Sequence, residues 1–389
     1  MPPARAIVFR LHWALGLTAG LILAVMGVTG ALLSYEEALT NWANSDRQVV
    51  QVREMPPLAL STLIGRIEEQ EPGKRVARLT LKGDPAASVN VRFARDKAAG
   101  GRPGSVFADP YDGTILGPVR GEATFATILD FHRFLLLPGE GGGWGRQITG
   151  ACAIALLFFV VSGMVLRWPK VHRVRIWLRP SLSRPGRAWW WSLHAVAGTW
   201  LLPIYGVIAL SGLTWSYDGF KDVTNRLLVG PPAETMKASR KGVRSPGDPS
   251  SGAASIDAAW NAFRTGEGPD YARALILLPE DGRAPVRIRW FTRDDDRPAA
   301  RNEARYDGST GALISAERAA NQPLGKRIAG NMLEVHRGRF FGPVFALLFC
   351  LAALAMPGFA ATGLVLYLLR RKAAGRRTAR QPMLPSAAE

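Results

Sequence analysis

Four long apolar runs constrain this chain more than any other feature of it. Leu11–Tyr35 contains one acidic or basic side chain, His12, and Trp189–Tyr217 contains only His194. Gln147–Leu166 and Pro343–Leu369 contain none. A helix crosses about 30 Å of hydrocarbon in about 20 apolar residues, and each run is that long. The expected class is therefore membrane α-helical, a bundle of four transmembrane helices; four such runs make buried helices of a soluble core a poor alternative. The first run is too long for a signal-peptide core and lacks a small-x-small cleavage site, which predicts an uncleaved anchor. The two cysteines, Cys152 and Cys350, both lie inside apolar runs, so no disulfide scaffold is expected.

The net charge of +18 is interpretable only by its location. Arg5 and Arg10 precede the first run. Seven basic and no acidic residues lie in Arg167–Arg187, and six basic residues with Glu389 form the tail from Arg370. These short segments hold +14 of the total, whereas the two long connections are nearly balanced. Short positive segments stay on the cytoplasmic side, so both termini and the short loop are expected inside and both long loops outside. The lipid bilayer accounts for the charge, and no nucleic acid is needed.

The chain reads as a two-copy repeat. Leu11-His12, Gly16, Gly30 and Ser34-Tyr35-Glu36 fall, 182 positions later, on Leu193-His194, Gly198, Gly212 and Ser216-Tyr217-Asp218. Leu129-Asp130-Phe131-His132-Arg133 is similar to Leu333-Glu334-Val335-His336-Arg337, and the spans that follow carry Ser162-Gly163 and Thr362-Gly363. Each long loop alternates like a small α+β module. In the first, Leu58–Gln70 has helical spacing, Arg75–Leu81, Ser88–Phe93 and Val106–Asp109 alternate like strands, and Tyr111-Asp112-Gly113 is a turn. In the second, Ile256–Phe263 is helical, Tyr271–Leu278 and Val286–Phe291 are strands, and Tyr306-Asp307-Gly308 is the matching turn. Ala98–Gly104 and Arg240–Gly252 read as linkers. Two crossings per half make the copies parallel, related by an axis along the membrane normal. The resulting segments are 1–34 for transmembrane helix 1, 35–131 for the first module, 132–168 for an outer histidine segment with helix 2, and 169–188 for the basic loop. Residues 189–217 form helix 3, 218–335 the second module, 336–370 an outer histidine segment with helix 4, and 371–389 the basic tail.

Four of five histidines are repeat-paired at helix ends, so a twofold arrangement is expected to bring His12 to His194 and His132 to His336. Two facing imidazoles suit the axial positions of a haem iron, whereas zinc asks for four ligands with thiolate or carboxylate company. Gly16 and Gly198 stand one turn after His12 and His194, where a missing side chain leaves room for a flat macrocycle. The competing reading is that the histidines are interfacial anchors; their symmetric placement and the functional bias of ionisable groups at membrane depth favour ligation. Arg10, Arg133 and Arg337 adjoin these histidines and suit haem propionates or, equally, lipid headgroups. His172 has no partner in the other copy and reads as a solvated loop residue.

The order and duplication of these motifs resemble the PepSY-associated transmembrane family, and within it the FoxB-type siderophore reductases of bacterial inner membranes. The resemblance spans essentially the whole chain. It implies two b-type haems, with His12, His194, His132 and His336 as matching ligands, and periplasmic PepSY-like modules. It also implies oxidoreductase activity: electron transfer from the cytoplasmic side outward to ferric iron held in a siderophore, for iron uptake. A flavin reductase or reduced flavin is the expected cytoplasmic donor. Two alternatives stay open: a quinol- or flavin-linked b cytochrome serving another periplasmic acceptor, and a non-redox membrane-anchored PepSY binding or inhibitory module.

Overall fold

In the computed structural model the described residues are 3–95, 103–169, 172–181, 183, 185–231, 252–279, 285–308 and 310–378. Most of the first predicted linker (98–102), nearly all of the second (240–251) and the tail from 379 lie outside them. The chain forms two compact units, one within residues 1–34, 127–224 and 335–389, the other within 35–126 and 225–334.

The first unit is a four-helix bundle. Its helices are α1 (Pro3–Ser34), α5 (Trp144–Arg167), α7 (Arg187–Ser216) and α12 (Pro343–Thr378), and all four are long and apolar enough to span a membrane. They close a ring in which α1 packs on α12 and α5, and α7 on α5 and α12. Small residues set the spacing. A Cβ on Gly27 of α1 would lie 2.8 Å from the Met356 Cβ and closer still to the Ala353 carbonyl of α12, so the two backbones touch. The core holds Ala19, Leu23, Cys152, Leu156, Tyr205, Ala209, Ala352 and Met356, and Tyr205 donates its hydroxyl proton to the Ala352 carbonyl at 2.8 Å. Cys152 and Cys350 are buried and free. Two short helices complete the set of elements that matter for the site: α4 (Glu122–Phe134) leads towards α5, and α11 (Met332–His336) precedes α12.

In the second unit the two loop modules join into one sheet. Its strands are β1 (Val76–Lys82), β2 (Val89–Phe93), β3 (Ser105–Ala108), β4 (Ile115–Pro118), β5 (Tyr271–Leu277), β6 (Val286–Thr292), β7 (Asn302–Tyr306) and β8 (Leu313–Glu317). They form one antiparallel sheet in the order β4-β3-β2-β1-β5-β6-β7-β8. Each half is a four-stranded meander, and the two join edge to edge through β1 and β5, with Leu79 opposite Ile276 and Thr80 opposite Leu275. A lone meander would leave the β1 amides and carbonyls that point away from β2 without partners; pairing satisfies both edges at once. Helices α3 (Leu60–Gln70) and α9 (Gly252–Thr265) pack against each other. Their Leu63, Ile67 and Phe263 share one core with Leu79, Val91, Ile276, Ile288 and Trp290 of the sheet.

The turn equivalence also shifts. Asp109 NH bonds to the Thr114 carbonyl and Gly113 NH to Asp109; in the second half Asp307 NH bonds to Ala312 and Gly311 NH to Asp307. Asp109 therefore matches Asp307, and Gly113 at φ +78° matches Gly311 at φ +71°. The Tyr-Asp-Gly triplets, aligned by identity alone, are three residues out of structural register. Strands β4, β7 and β8 and the helices α2 (Glu36–Ala43) and α8 (Asp218–Val229), which follow the first and third spans, have no counterpart in the sequence expectation.

Candidate functional site: paired imidazoles in the helix bundle

The bundle brings the repeat-paired histidines together. The rings of His12 on α1 and His194 on α7 lie 6.5 Å apart between centroids, at 73°. Those of His132 on α4 and His336 on α11 lie 6.4 Å apart, at 70°. The second pair is held at the level of Met26–Gly30, about 17 residues along α1 from His12, which is a rise of about 25 Å.

Each ring is fixed through Nδ1, and the fixing group is a hydroxyl in every case. His12 Nδ1 lies 2.7 Å from Ser162 Oγ, and His194 Nδ1 lies 2.7 Å from Thr362 Oγ1. His132 Nδ1 is 3.1 Å from Thr29 Oγ1, and His336 Nδ1 is 2.9 Å from Ser211 Oγ. Each hydroxyl also lies within hydrogen-bond distance of a carbonyl one turn back on its own helix. Ser162 faces the Phe158 carbonyl, Thr362 that of Gly358, Thr29 that of Val25 and Ser211 that of Val207, at 2.5–2.8 Å. His132 Nδ1 lies in addition 3.0 Å from the Met26 carbonyl, which can only accept, so this ring donates from Nδ1. That contact gives His132 the tautomer with Nδ1–H and a lone pair on Nε2, and the other three rings likewise have a hydroxyl at Nδ1.

Glycines make the space. A Cβ on Gly30 would come within 3.0 Å of His132 Cε1, and one on Gly212 within 3.4 Å of His336 Cε1. Gly16 has nothing within 4 Å of its added Cβ, and Gly198 meets only the Phe359 ring at 3.7 Å, so the flanks of the first pair are open. Phe159 and Phe359 stand edge-on to His12 and His194, each at 5.1 Å. The chain after His132 is bent sharply by Leu135 and Leu136, both at positive φ, a conformation costing leucine about 1–2 kcal/mol each. The reversal lets Gly145 of α5 sit directly on the Phe134 backbone.

The arginines of the sequence analysis behave differently from one another. Arg10 is exposed, Arg133 lies over the Phe134 ring at 5.0 Å, and Arg337 is half-buried directly after His336. His172 is an exposed loop residue, as expected, and its ring also contacts Trp168 and Trp177, with centroids 5.4 and 6.1 Å away.

The donor set can be tested against a metal. Two metal–nitrogen bonds of about 2 Å and two ring radii of about 1 Å separate facing imidazole centroids by about 6 Å. Edge-to-face rings without a metal also sit near this distance, so the distance alone decides little. The tautomer at His132 discriminates, because a ligating histidine gives its other N–H to a protein acceptor and presents a bare nitrogen. Among the described residues no group of three His, Cys, Asp or Glu could hold a metal, which disfavours tetrahedral zinc. Two axial nitrogens fit an iron whose remaining positions belong to its own macrocycle.

Residues 9–370 match the family model of the PepSY-associated TM region. The chain belongs to this family. No curated protein matches the chain. All four paired histidines of this PepSY-associated TM protein, and the four hydroxyls that hold them, fall inside the matched span. The hydroxyls are what sequence reasoning missed as ring partners. Thr29 and Ser211 stand 182 positions apart, the repeat offset of the histidines His12 and His194, and that coincidence was the available signal.

Proposed function

We propose that this protein is an inner-membrane di-haem b-type cytochrome that carries electrons from the cytoplasmic side to the periplasm and reduces siderophore-bound ferric iron to ferrous iron. His12 with His194, and His132 with His336, would each hold one haem b through Nε2. The observation that carries the reading is the pairing itself: two couples of repeat-related imidazoles with centroids 6.5 and 6.4 Å apart, each ring held at Nδ1 by a hydroxyl.

Haem b held by two histidines supplies reversible one-electron transfer and leaves no open position for oxygen. The protein's part is positional. Ser162, Thr362, Thr29 and Ser211 fix ring orientation and keep the imidazoles neutral donors. Gly16, Gly198, Gly30 and Gly212 clear space around them, and the apolar helices exclude water. Two stations about 25 Å apart along α1 divide the bilayer into shorter steps than a single station would. Arg133 and Arg337 adjoin the second pair in sequence and suit propionate carboxylates.

The short basic segments support cytoplasmic termini, a periplasmic sheet unit, and a flavin reductase or reduced flavin as donor. At the periplasmic end one electron converts Fe(III) to Fe(II), which hard oxygen ligands hold less tightly, so the ion is released.

Absorption spectra of purified protein, oxidised and dithionite-reduced, test this directly. Reduced b-type bands at two haems per chain, reoxidised by a ferric siderophore, are the expected outcome. His12→Ala and His336→Ala should each lose one haem equivalent. A colourless protein ends the haem reading, and colour without siderophore-dependent reoxidation favours a different periplasmic acceptor.

A further inference from the structure

Strands present alternate side chains to opposite faces. Leu79, Val91, Ile276, Ile288 and Ala304 point to the core under α3 and α9. Their neighbours therefore occupy the other face, and the register aligns them. Arg92 stands opposite Arg78, Arg78 opposite Leu277, Leu277 opposite Arg287, and Arg287 opposite Arg305. Four arginines and a leucine make a straight row across five strands, about 19 Å at a strand spacing of about 4.8 Å. The next row brings Arg289 between Leu275 and Glu303.

Two of these cross-strand pairs, Arg78–Arg92 and Arg287–Arg305, place like charges directly opposite, an arrangement that costs stability. The compensation is incomplete. Glu303 serves three arginines at once, Arg289 at 2.9 Å, Arg305 at 3.4 Å and Arg287 at 3.9 Å. Glu122 reaches Arg92 at only 4.0 Å and accepts from the Ser105 hydroxyl and backbone NH instead. Among the described residues Arg78 Nε and Arg287 Nε are buried without a hydrogen-bond partner. Burial, then the Arg92 charge, holds the Arg78 guanidinium below the ordinary arginine range.

We propose that this face of the sheet, opposite α3 and α9 and flanked by Glu37 of α2 at Arg273 and Glu122 of α4 at Arg92, binds an anionic ferric chelate that displays several carboxylates, with the guanidinium row taking the carboxylates and Leu275 and Leu277 its carbon skeleton. The iron in this assignment rests on the reductase reading; the anion does not. Arginine forks match carboxylates bidentately, and strand spacing distributes them over a ligand with more than one acidic group. A lipid surface is the weaker occupant, because the four measured side chains are only 29–53% exposed and are set in a rigid sheet.

Titration calorimetry on the full chain in detergent tests the site without any electron transfer. Ferric citrate is expected to bind at least tenfold more tightly than a neutral ferric trihydroxamate, with the margin shrinking as salt rises. Arg78→Gln should weaken ferric citrate about tenfold while leaving the melting temperature unchanged or higher, since it removes a partly buried guanidinium whose Nε has no hydrogen-bond partner and which faces Arg92. Arg305→Gln, at the more exposed end of the row, should weaken it too and guards against a misfolded first variant. Equal affinity for the two chelates overturns the proposal. So does wild-type binding by both variants, or a defect confined to phosphatidylglycerol vesicles. A colourless protein that still prefers ferric citrate keeps this site and sinks the haem reading; a haem protein that prefers the neutral chelate does the reverse.

Discussion

A hydroxyl that lies against both a carbonyl of its own helix and an imidazole Nδ1 ties the ring to that helix, and four imidazoles here are held in this way. Removing Ser162 as Ser162→Ala leaves His12 Nδ1 without its partner while keeping the helix intact. Under the proposed haem ligation, the expected result is haem retention at that station weakened 10–100-fold, with a shifted midpoint potential, and rescue by Ser162→Thr. Two haems with unchanged potentials in Ser162→Ala would show that the hydroxyl does not position the ring. The histidines were legible because histidine is rare in apolar runs and these recur at matching places. The hydroxyls were not, because serine and threonine in membrane helices commonly bond back to their own helix. Nothing local marks the ones that also face a ring.

Among the elements, α1 is the most tightly constrained, since one face meets α12, the His132 ring and the first imidazole pair in turn. Gly27→Leu should force α1 from α12, because its Cβ already overlaps the Ala353 carbonyl. Overpacking of this kind costs about 1–3 kcal/mol, to be read as a lower melting temperature of the purified protein. Gly30→Val should act more locally, displacing His132 and removing one haem equivalent with the first pair intact. Loss of both haems from Gly30→Val would argue that the stations depend on each other. The four spans, α3, α9 and five strands were readable from periodicity to within a few residues, apart from the longer ends of α9 and α12. Strands β4 and β8 lack a buried alternating set: β8 is exposed at all five positions, and β4 carries Gly117 and Pro118. Their place is set by the neighbour they pair with, which a local pattern does not encode.

For the whole molecule, the decisive feature is the joined sheet. Local alternation predicted two modules, one per loop, and it cannot announce that the free edge of one strand is the partner of another in a different half. With a shared core, the two meanders should unfold as one. Leu79→Ala, at 0% exposure in the joining strand, should cost about 2–5 kcal/mol. Hydrogen exchange should then show β2 and β6 losing protection together. Faster exchange in β2 with β6 unchanged would mean that the halves are independent domains.

The β1–β5 ladder also imposes a schedule on the ribosome. Leu79 is made almost two hundred residues before Ile276, which at about 5–20 residues per second is about 10–40 s of synthesis. Throughout that interval the first meander carries a bare hydrogen-bonding edge, and the third span must be delivered to the bilayer before its partner strand exists.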